Sequence, residues 1–332
     1  METILDISSL TVVELVAALA DDSTLVLCDA HNLPSLKTHC APVLVSDCAV
    51  SIVDEIKSKY EYDRIVAVGG CTVLDMGRAC SVGKPRRLVV VPTILSTSCL
   101  SSNISVLRHG ERNRPEVTSS PERCVLCLPT LLETDGRSLA RWCQSGFGDL
   151  FANISASIDF QYEMGKLTTK EVKANVPLTV EAMRWVISGF NGYDEEGLRQ
   201  LGSYLHEASL TVVRRGDTRL SSAGEHLLYH RLMERQPDYR QGLPTHGQIV
   251  AIGTLLSLRL FSIQSKESEL EDLVRKAYER LQLPLTWSDL EKIGIKREHL
   301  IDALEHLAAP QCHLGSWAVK GDWTLLDEVF AS

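Results

Sequence analysis

The sequence predicts an α/β domain with an open parallel sheet, followed by an all-helical domain. In the first part of the chain, apolar runs with the length of buried parallel strands, such as Ile65–Val68 and Arg87–Pro92, alternate with helical patterns. Strands separated by helices of this size imply a right-handed, doubly wound sheet. After Pro129, long helical patterns take over and continue to the end. We therefore expect an α/β domain over residues 1–138 and a helical domain over residues 139–332.

The composition is typical of a globular protein, with 332 residues, of which 44% are hydrophobic and 23% charged. The net charge is −9 and we find no basic block, which argues against a nucleic-acid-binding surface. We also find no continuous apolar run of the roughly 18–20 residues that span a membrane. The ten cysteines follow no secretory signal, so we expect a cytoplasmic protein with a small-molecule substrate and no nucleic-acid or membrane partner.

The first predicted strand, Thr24–Cys28, ends at Asp29. A carboxylate just past the first strand of a nucleotide-binding half can hold a ribose hydroxyl. A helix or turn cap is the alternative, and the local sequence leaves both open. A short strand over Pro42–Val45 and a helix over Val50–Lys59 follow.

The stretch from Arg64 to Arg78 holds a strand, a glycine turn and a helix. Gly69 and Gly70 follow the strand, and glycine permits a tight turn and a close approach of a ligand to the backbone. From Thr72 the pattern is helical, so the free N–H groups of a helix start would face a phosphate. An ordinary strand-to-helix turn is the alternative, because Gly-Gly is a weaker signal than a full Gly-x-Gly-x-x-Gly motif.

The next strand runs directly into a hydroxyl-rich loop, Thr93–Ser102. Open α/β sheets bind ligands at the carboxyl ends of their strands, so this loop is a candidate ligand surface. A polar segment then brings together Arg108, Arg112 and Arg114, either as a solvated hairpin or as a site for a phosphorylated substrate. A last strand is expected over Cys124–Leu128.

Eight helices are predicted in the second part, and we expect the active site in the cleft between the two domains. They are Gly146–Phe160, Val176–Ile187, Glu195–Thr211, Ala223–Leu232, Gly247–Gln264, Glu267–Leu281, Trp287–Ile293 and Arg297–Leu307.

Metal-capable side chains lie near glycines at three places in this helical part, at Asp149, at His226 with His230, and at His246. A buried aspartate or histidine on a helix is usually a hydrogen-bonded core or capping residue. Two neutral imidazoles and one carboxylate, with an open fourth position, would suit a catalytic Zn²⁺ or a similar cation. The residues alone do not show that Asp149, His226 and His246 converge.

Several ordered motifs resemble one superfamily, which includes iron-containing alcohol dehydrogenases, glycerol dehydrogenases, glycerol-1-phosphate dehydrogenases and dehydroquinate synthases. Gly69–Asp75 resembles its Gly-Gly-Gly-(Ser/Thr)-x-x-Asp loop, with Cys71 where the third glycine is usual. Val91–Ser96 is similar to its Val-Pro-Thr segment, and Arg219–His226 to the Ser-Arg-Pro-x-Ser-Gly-x-Glu-His pattern of the glycerol-1-phosphate dehydrogenase branch. Ser145–Leu150 and His246-Gly resemble segments that supply metal ligands. The resemblance spans roughly residues 24–310 and is closest to that branch.

The resemblance implies a Rossmann-like N-terminal domain and a helical metal-binding C-terminal domain. It implies NAD(H) or NADP(H) across the glycine loop, and a divalent metal, zinc before nickel or iron, that polarises the reacting oxygen. The implied catalytic and metal-binding residues are Asp149, His226 and His246. The implied cofactor-binding residues are Asp29, Gly69, Gly70, Cys71, Thr72, Asp75, Thr93 and Ser96.

Two departures from the family pattern concern the substrate pocket. Ser98 stands where glycerol-1-phosphate dehydrogenases and dehydroquinate synthases have, near this point of the loop, an aspartate. Asn153 stands where those branches often have lysine and the alcohol dehydrogenases have a histidine ligand. The arginine-and-tyrosine segment that often follows near the C-terminus is replaced here by Gln311–Trp317. The residues expected to face the substrate are Ser98, Ser102, Asn153, Arg219 and His230.

The resemblance leaves three functions to compare. The first is a metal-dependent NAD(P) oxidoreductase, a homo-oligomer acting on a small phosphorylated ketone, with dihydroxyacetone phosphate to sn-glycerol 1-phosphate as the best single guess. The second is a dehydroquinate synthase-like sugar-phosphate cyclase that uses NAD transiently. Those enzymes usually carry several lysines here, and none occurs between Lys84 and Lys166. The third, a non-catalytic relative, conflicts with the intact Asp149, His226 and His246.

Overall fold

The computed structural model describes residues 2–37, 41–83, 87–110, 112–241, 244–307, 312–321 and 323–331. The chain divides into two compact units. We call residues 1–143 with 192–216 the sheet unit, and residues 144–191 with 217–332 the helical unit.

In the part of the chain that the structure describes, eight strands form two sheets. They are β1 (Ile4–Ser8), β2 (Thr24–Cys28), β3 (Val43–Leu44), β4 (Arg64–Gly69), β5 (Leu88–Pro92), β6 (Ile104–His109), β7 (Arg112–Val117) and β8 (Arg123–Cys127). Six of them form a parallel sheet in the order β1-β8-β5-β4-β2-β3, which confirms the predicted α/β class. Strands β6 and β7 form an antiparallel hairpin on which Arg108, Arg112 and Arg114 lie.

Sixteen α-helices are described. They are α1 (Val12–Leu19), α2 (Leu33–Leu36), α3 (Val50–Lys59), α4 (Cys71–Cys80), α5 (Leu128–Leu132), α6 (Gly136–Glu163), α7 (Thr169–Asn175), α8 (Pro177–Gly189), α9 (Glu195–Arg215), α10 (Gly224–Arg235), α11 (His246–Ser265), α12 (Glu269–Leu281), α13 (Trp287–Lys292), α14 (Arg297–Glu305), α15 (His313–Ala318) and α16 (Thr324–Val329). This confirms the predicted helical C-terminal part.

The centre of the parallel sheet is apolar on both faces. In β4, Ile65 to Val68 are at most 2% exposed, and in β5 Val90 and Val91 are fully buried. Helices cover both faces of such a sheet, so its central strands read as continuous apolar runs rather than alternating ones. This is why the sequence predicts β4 and β5 correctly.

Helix α9 belongs to the sheet unit, although it lies within the helical part of the sequence. Its Gly202 lies against strand β8, where an added Cβ would come within 2.2 Å of the Leu126 Cδ1 atom. The absence of a side chain at Gly202 therefore lets α9 pack closely on the sheet. The division into residues 1–138 and 139–332 stays a prediction.

The structure also contains elements that were not predicted, including the helices α7, α15 and α16, and two further differences have a clear physical reason. Strand β1 was not predicted, and it lies at the edge of the sheet, paired with β8, with Ile4 55% exposed. Helix α6 begins at Gly136 rather than at Gly146. The predicted helix did not include residues 136–145, but the Asp135 carboxylate accepts the Ser138 N–H at 3.1 Å and so stabilises the earlier helix start.

Helix α11 is long and apolar enough to cross a membrane, with a mean hydropathy of 1.3. However, 78% of the apolar stretch is buried inside the protein, as in the central helix of a globular domain. Burial against other helices of the helical unit accounts for its composition.

Candidate metal centre and cofactor loop

Asp149, His226 and His246 converge in the helical unit, from helices α6, α10 and α11. The Asp149 Oδ1 atom lies 3.2 Å from His226 Nε2 and 3.0 Å from His246 Nε2. One ligand atom from each of the three residues lies within 4.8 Å of the other two. The structure thus brings together three side chains that the sequence placed far apart.

Two glycines permit this convergence. A Cβ at Gly148 would lie 2.2 Å from the Gly247 carbonyl oxygen, and a Cβ at Gly247 would lie 1.8 Å from the Ser145 carbonyl oxygen. The Gly247 N–H donates to Ser145 Oγ at 3.0 Å, which ties the two backbones together. Because Asp149 and His246 adjoin these glycines, close contact between α6 and α11 sets their separation.

The first turn of α11 is also capped. Thr245 Oγ1 accepts the Gln248 N–H at 3.4 Å, while the Gln248 side chain accepts the Thr245 N–H at 3.0 Å. This reciprocal capping box satisfies N–H groups that the helix start would otherwise leave without partners. His246, the first residue of α11, is therefore held on an ordered helix terminus.

Glu225 orients His226. Its carboxylate is fully buried, and its Oε1 lies 2.7 Å from His226 Nδ1. The same carboxylate accepts the Ala223 N–H at 2.7 Å and the Ser155 hydroxyl at 3.0 Å. With Nδ1–H donating to Glu225, the Nε2 lone pair of the neutral imidazole faces Asp149 and is available to a metal.

Asp159 anchors the start of α10, the helix that carries Glu225 and His226. Its carboxylate accepts the Gly224 N–H at 2.8 Å and the His313 N–H at 2.7 Å. Burial, together with the nearby charge of Glu225, raises the pKa of Asp159 to about 7. The N-terminus of α10 is therefore held by two buried carboxylates, those of Asp159 and Glu225.

Hydrogen bonds among these side chains favour the ionised carboxylate of Asp149 and the protonated imidazole of His226. Burial opposes the charge of Asp149, but hydrogen bonds from His226 and His246 lower its pKa well below the usual value. Burial likewise opposes the charge of His226, but hydrogen bonds to Asp149 and Glu225 raise its pKa to about 10. Such strong stabilisation of a positive charge is what a cation site requires.

The donor set fits a divalent cation. Bonds of about 2.1 Å in a tetrahedral site place neighbouring donor atoms about 3.4 Å apart, close to the separations of 3.0 and 3.2 Å at Asp149 Oδ1. Two imidazoles and one carboxylate leave one tetrahedral position for a substrate oxygen. The residues present therefore fit a catalytic metal of the zinc type.

The glycine turn lies in the sheet unit, between β4 and α4. Gly69 has a φ of 157°, and a Cβ there would come within 2.7 Å of both Asp29 Oδ2 and Val73 Cγ2. Gly70 is the N-cap of α4 and provides no side-chain cap. The first N–H groups of α4 are thus arranged to bind an anion, as a pyrophosphate site requires.

Other predicted cofactor residues surround this turn. The Thr93 N–H donates to the Gly69 carbonyl at 3.2 Å, and Cys71 Sγ lies 3.6 Å from Ser96 Oγ. Thr72 is exposed in the first turn of α4. The carboxyl ends of β4 and β5 therefore bring these predicted cofactor residues together.

Asp29 and Asp75 already have protein partners. Asp29 Oδ1 accepts the Asn32 N–H at 2.9 Å, which is the turn cap that the sequence left open, and a ribose contact stays a prediction. Asp75 is buried and bonds to Arg78 Nη1 at 2.5 Å and to the Val106 N–H at 3.2 Å. Burial raises the pKa of Asp75 to about 6. Its observed contacts are structural, and a role in cofactor binding also stays a prediction.

Comparison with known proteins shows what this chain is similar to. Residues 24–126 match the sequence profile described as iron-containing alcohol dehydrogenase. The glycerol-1-phosphate dehydrogenase [NAD(P)+] of Pyrobaculum neutrophilum is 29% identical over 258 residues, which are 76% of this chain and 71% of that protein. That of Archaeoglobus fulgidus is 26% identical over 249 residues, 74% of this chain and 67% of that protein. The chain is thus similar to members of the iron-containing alcohol dehydrogenase superfamily, as its motifs predict.

Solved structures show the same fold. A probable glycerol dehydrogenase from Sinorhizobium meliloti 1021 matches with a TM-score of 0.69 and 17% identity, over 97% of each chain. The sulfoacetaldehyde reductase from Bifidobacterium kashiwanohense in complex with NAD+ matches with a TM-score of 0.63 and 13% identity, over 96% of each chain. The predicted resemblance is confirmed by the sequence relatives, and they support the predicted enzyme class, an NAD(P)- and metal-dependent dehydrogenase.

The predicted substrate residues lie in both units. Ser98 and Ser102 are buried in the sheet unit. In the helical unit, Asn153 is buried and its Nδ2 donates to Thr179 Oγ1 at 3.3 Å, while its Oδ1 has no hydrogen-bond partner among the described residues. These three assignments stay predictions.

The two remaining predicted substrate residues are exposed. Arg219 pairs with Asp217 at 3.1 Å and lies over the Phe160 ring, and His230 is exposed on α10. The hairpin residue Arg108 is paired with Asp47. Each arginine is paired with an aspartate, which is compatible both with an ordinary surface ion pair and with phosphate binding.

Sequence reasoning missed the residues that position the metal ligands. Glu225, Asp159 and Ser155 are buried and polar, and Gly148 and Gly247 make close backbone contacts. The sequence carried one signal, the glutamate that directly precedes His226. An acidic residue in the first turn of a helix is common for reasons of the helix dipole alone, so that signal does not stand out.

Proposed function

We propose that this protein catalyses the metal-assisted, NAD(P)-linked reduction of a small phosphorylated ketone, with dihydroxyacetone phosphate to sn-glycerol 1-phosphate as the preferred reaction. The supporting observation is the convergence of Asp149, His226 and His246 in a chain that is similar to glycerol-1-phosphate dehydrogenases over about three quarters of its length.

In this proposal Asp149, His226 and His246 hold one divalent cation, zinc before nickel or iron. When bound, the cation polarises the carbonyl oxygen of the ketone, so that negative charge developing on the oxygen is stabilised during hydride transfer. Glu225 holds the Nδ1–H of His226, which keeps the Nε2 lone pair directed toward the site.

The cofactor is held in this proposal by the glycine turn. The N–H groups at the start of α4 bind the pyrophosphate, and Gly69 and Gly70 let it approach the backbone closely. Thr93 and Ser96, on the adjoining carboxyl end of β5, contact the cofactor from the other side. Asp29 contacts the adenine ribose through the carboxylate that already caps a turn.

A phosphate on the substrate needs a cationic partner, and we propose Arg219. Arginine can bind two phosphate oxygens at once through its planar fork, and its 60% exposed side chain can leave Asp217 at little cost. The replacements at Ser98 and Asn153 remove one negative and one positive side chain, so they alter the pocket without a large change in net charge.

Purified protein loaded with Zn²⁺, Ni²⁺ or Fe²⁺ in turn, and mixed with NADH or NADPH, tests the proposal. Dihydroxyacetone phosphate and unphosphorylated dihydroxyacetone are compared while the absorbance of the reduced cofactor is followed. Net oxidation that favours the phosphorylated ketone supports the proposal. Preference for dihydroxyacetone removes the phosphate claim, and no oxidation with any ketone removes the function.

We also propose a homo-oligomer in the cytoplasm. Ile4 is exposed on the edge strand β1, where a second copy can add to the sheet. Cys124 and Cys127 in β8 are buried, and burial raises the pKa of each thiol to about 12, as suits unreactive thiols in a reducing compartment. Light scattering of the purified protein tests the assembly.

A further inference from the structure

The segment Ser98–Ser101 lies in the loop beyond β5 and has no regular secondary structure. Its backbone bonds to side chains from helix α9. The Ser101 N–H donates to Ser209 Oγ at 3.1 Å, and Ser209 Oγ lies 2.7 Å from the Ser98 carbonyl oxygen. The single hydroxyl proton of Ser209 serves either this carbonyl or that of Leu205, which lies 2.9 Å away. Ser209 Oγ therefore accepts a bond from one end of the segment and bridges to the other end when its proton faces the Ser98 carbonyl.

His206, one turn earlier on α9, makes a second contact. Its Nδ1 lies 2.7 Å from Ser101 Oγ, with His206 only 5% exposed and Ser101 fully buried. A serine beside a histidine has the composition of a nucleophile and its base. Complete burial of Ser101 leaves no access for a substrate, so the contact holds the loop rather than carrying out chemistry.

Arg78, on the opposite side, comes from α4, the helix that follows the glycine turn. Its side chain is 1% exposed, and its Nη2 donates to the carbonyls of Cys99 and Leu100. Its Nη1 donates to Asp75 at 2.5 Å. Side chains of α4 and α9 thus bond to the backbone of all four residues of the segment.

We propose that Arg78, His206 and Ser209 are positioning residues that hold Ser98–Ser101 in the conformation that binds cofactor and ketone. The proposal rests on the proposed function, in which Thr93 and Ser96 of this loop contact the cofactor and Ser98 belongs to the substrate pocket. A loop without its own backbone ladder depends on such side chains, because buried carbonyl and N–H groups must find partners. The bonds of Arg78 also join the helix of the glycine turn directly to this loop.

The test compares Ser209→Ala with Ser203→Ala. Ser203 lies on the same helix and donates to the Arg199 carbonyl of that helix at 2.8 Å, so its loss controls for removal of a hydroxyl from α9. A second pair is His206→Leu, which removes the bond to Ser101, and His206→Asn, whose amide can replace Nδ1. Metal content of each variant is checked by elemental analysis.

Three measurements are made, the Kd for NADH by fluorescence titration, KM and kcat for the ketone, and hydrogen exchange of the loop amides. We expect Ser209→Ala and His206→Leu to raise both the Kd for NADH and KM about tenfold, the size expected from losing one buried hydrogen bond. Exchange of the Ser101 amide accelerates, while kcat and metal content stay near those of the parent. Ser203→Ala and His206→Asn stay near the parent in every measurement.

Unchanged Kd, KM and exchange in Ser209→Ala and His206→Leu would overturn the proposal, and so would faster exchange without weaker binding. A parent protein that binds NADH but reduces no ketone removes the proposed function alone, because the NADH titration and amide exchange still decide the role of these residues. If the parent does not bind NADH, amide exchange alone decides whether the three side chains hold the loop, and binding to this loop is refuted.

Discussion

Gly247→Ala should abolish metal binding, although the substitution leaves Asp149, His226 and His246 unchanged. The new Cβ would start 1.8 Å from the Ser145 carbonyl oxygen, whereas an ordinary carbon–oxygen contact is about 3.3 Å. Helix α11 must therefore move away from α6 by about 1.5 Å. Moved directly away, His246 Nε2 would shift from 3.0 Å to about 4.5 Å from Asp149 Oδ1. Two metal–ligand bonds of about 2.1 Å span at most about 4.2 Å, so one ligand is lost.

Elemental analysis of the purified variant, with circular dichroism to verify the fold, measures this effect. We expect one metal per chain in the parent and almost none in Gly247→Ala. Overpacking should also lower the free energy of unfolding by about 1–3 kcal/mol. Gly136→Ala is the matched control, because a Cβ at Gly136, the first residue of α6, meets nothing within 4 Å. That variant should keep its metal.

Full metal occupancy in a folded Gly247→Ala protein would refute the reasoning, since it would mean that the two helices can separate without disturbing the ligands. Gly148→Ala provides a second test of the same contact, because its Cβ would lie 2.2 Å from the Gly247 carbonyl oxygen. If Gly247→Ala does not fold, metal analysis of Gly148→Ala decides.

Gly70→Val should weaken NADH binding by at least tenfold in a fluorescence titration, because even a Cβ at this position would lie 3.1 Å from Ile94 Cδ1 and the larger side chain would block the pyrophosphate. The metal content of the variant should stay unchanged, which serves as the control. A titration curve like that of the parent would contradict the prediction. Metal affinity, measured by competition with a chelator, should rise about tenfold per pH unit from pH 6 to 9, because the metal must displace the proton of His226. Burial lowers the pKa of His226, but its hydrogen bonds to Asp149 and Glu225 raise it to about 10. A plateau above pH 7 would contradict that value. Arg219→Ala should raise KM for the phosphorylated ketone about tenfold or more, while Arg231→Ala, which removes an exposed arginine from α10, leaves it unchanged; equal effects would refute a specific role for Arg219.

The parallel sheet could be predicted because its central strands carry their own signal. Ile65–Val68 is apolar at every position, since helices cover both faces, and the following glycines mark the turn. Strand β1 carries no such signal, because it lies at the edge of the sheet and its five residues, Ile-Leu-Asp-Ile-Ser, are neither continuously apolar nor strictly alternating. Its place depends on pairing with β8, more than a hundred residues away in the chain. The membership of α9 in the sheet unit depends in the same way on its contact with Leu126.

The metal ligands could be nominated from the sequence as residue types, but their convergence could not. It depends on a backbone contact between α6 and α11 that only glycine at positions 148 and 247 allows, and each glycine alone reads as a weak point in a helix. The family resemblance supplied the ligand set without this physical reason. The structure adds the reason, and Gly247→Ala tests it.

Glu225 shows why the surroundings of a site are harder to predict than its ligands. In the sequence it is an acidic residue in the first turn of α10, a position that normally faces solvent and interacts favourably with the helix dipole. In the structure it is fully buried, and a buried carboxylate is tolerated only when hydrogen bonds stabilise its charge. Its partners are the Ala223 N–H, the Ser155 hydroxyl and His226 Nδ1. The bonds from Ala223 and Ser155 are of the kind that any buried carboxylate needs. The bond from His226 Nδ1 has a further effect, because it points His226 Nε2 at Asp149. Glu225 would therefore act on a bound metal by fixing the orientation of the His226 imidazole. This arrangement exists only when α6, which carries Ser155 and Asp149, packs against α10.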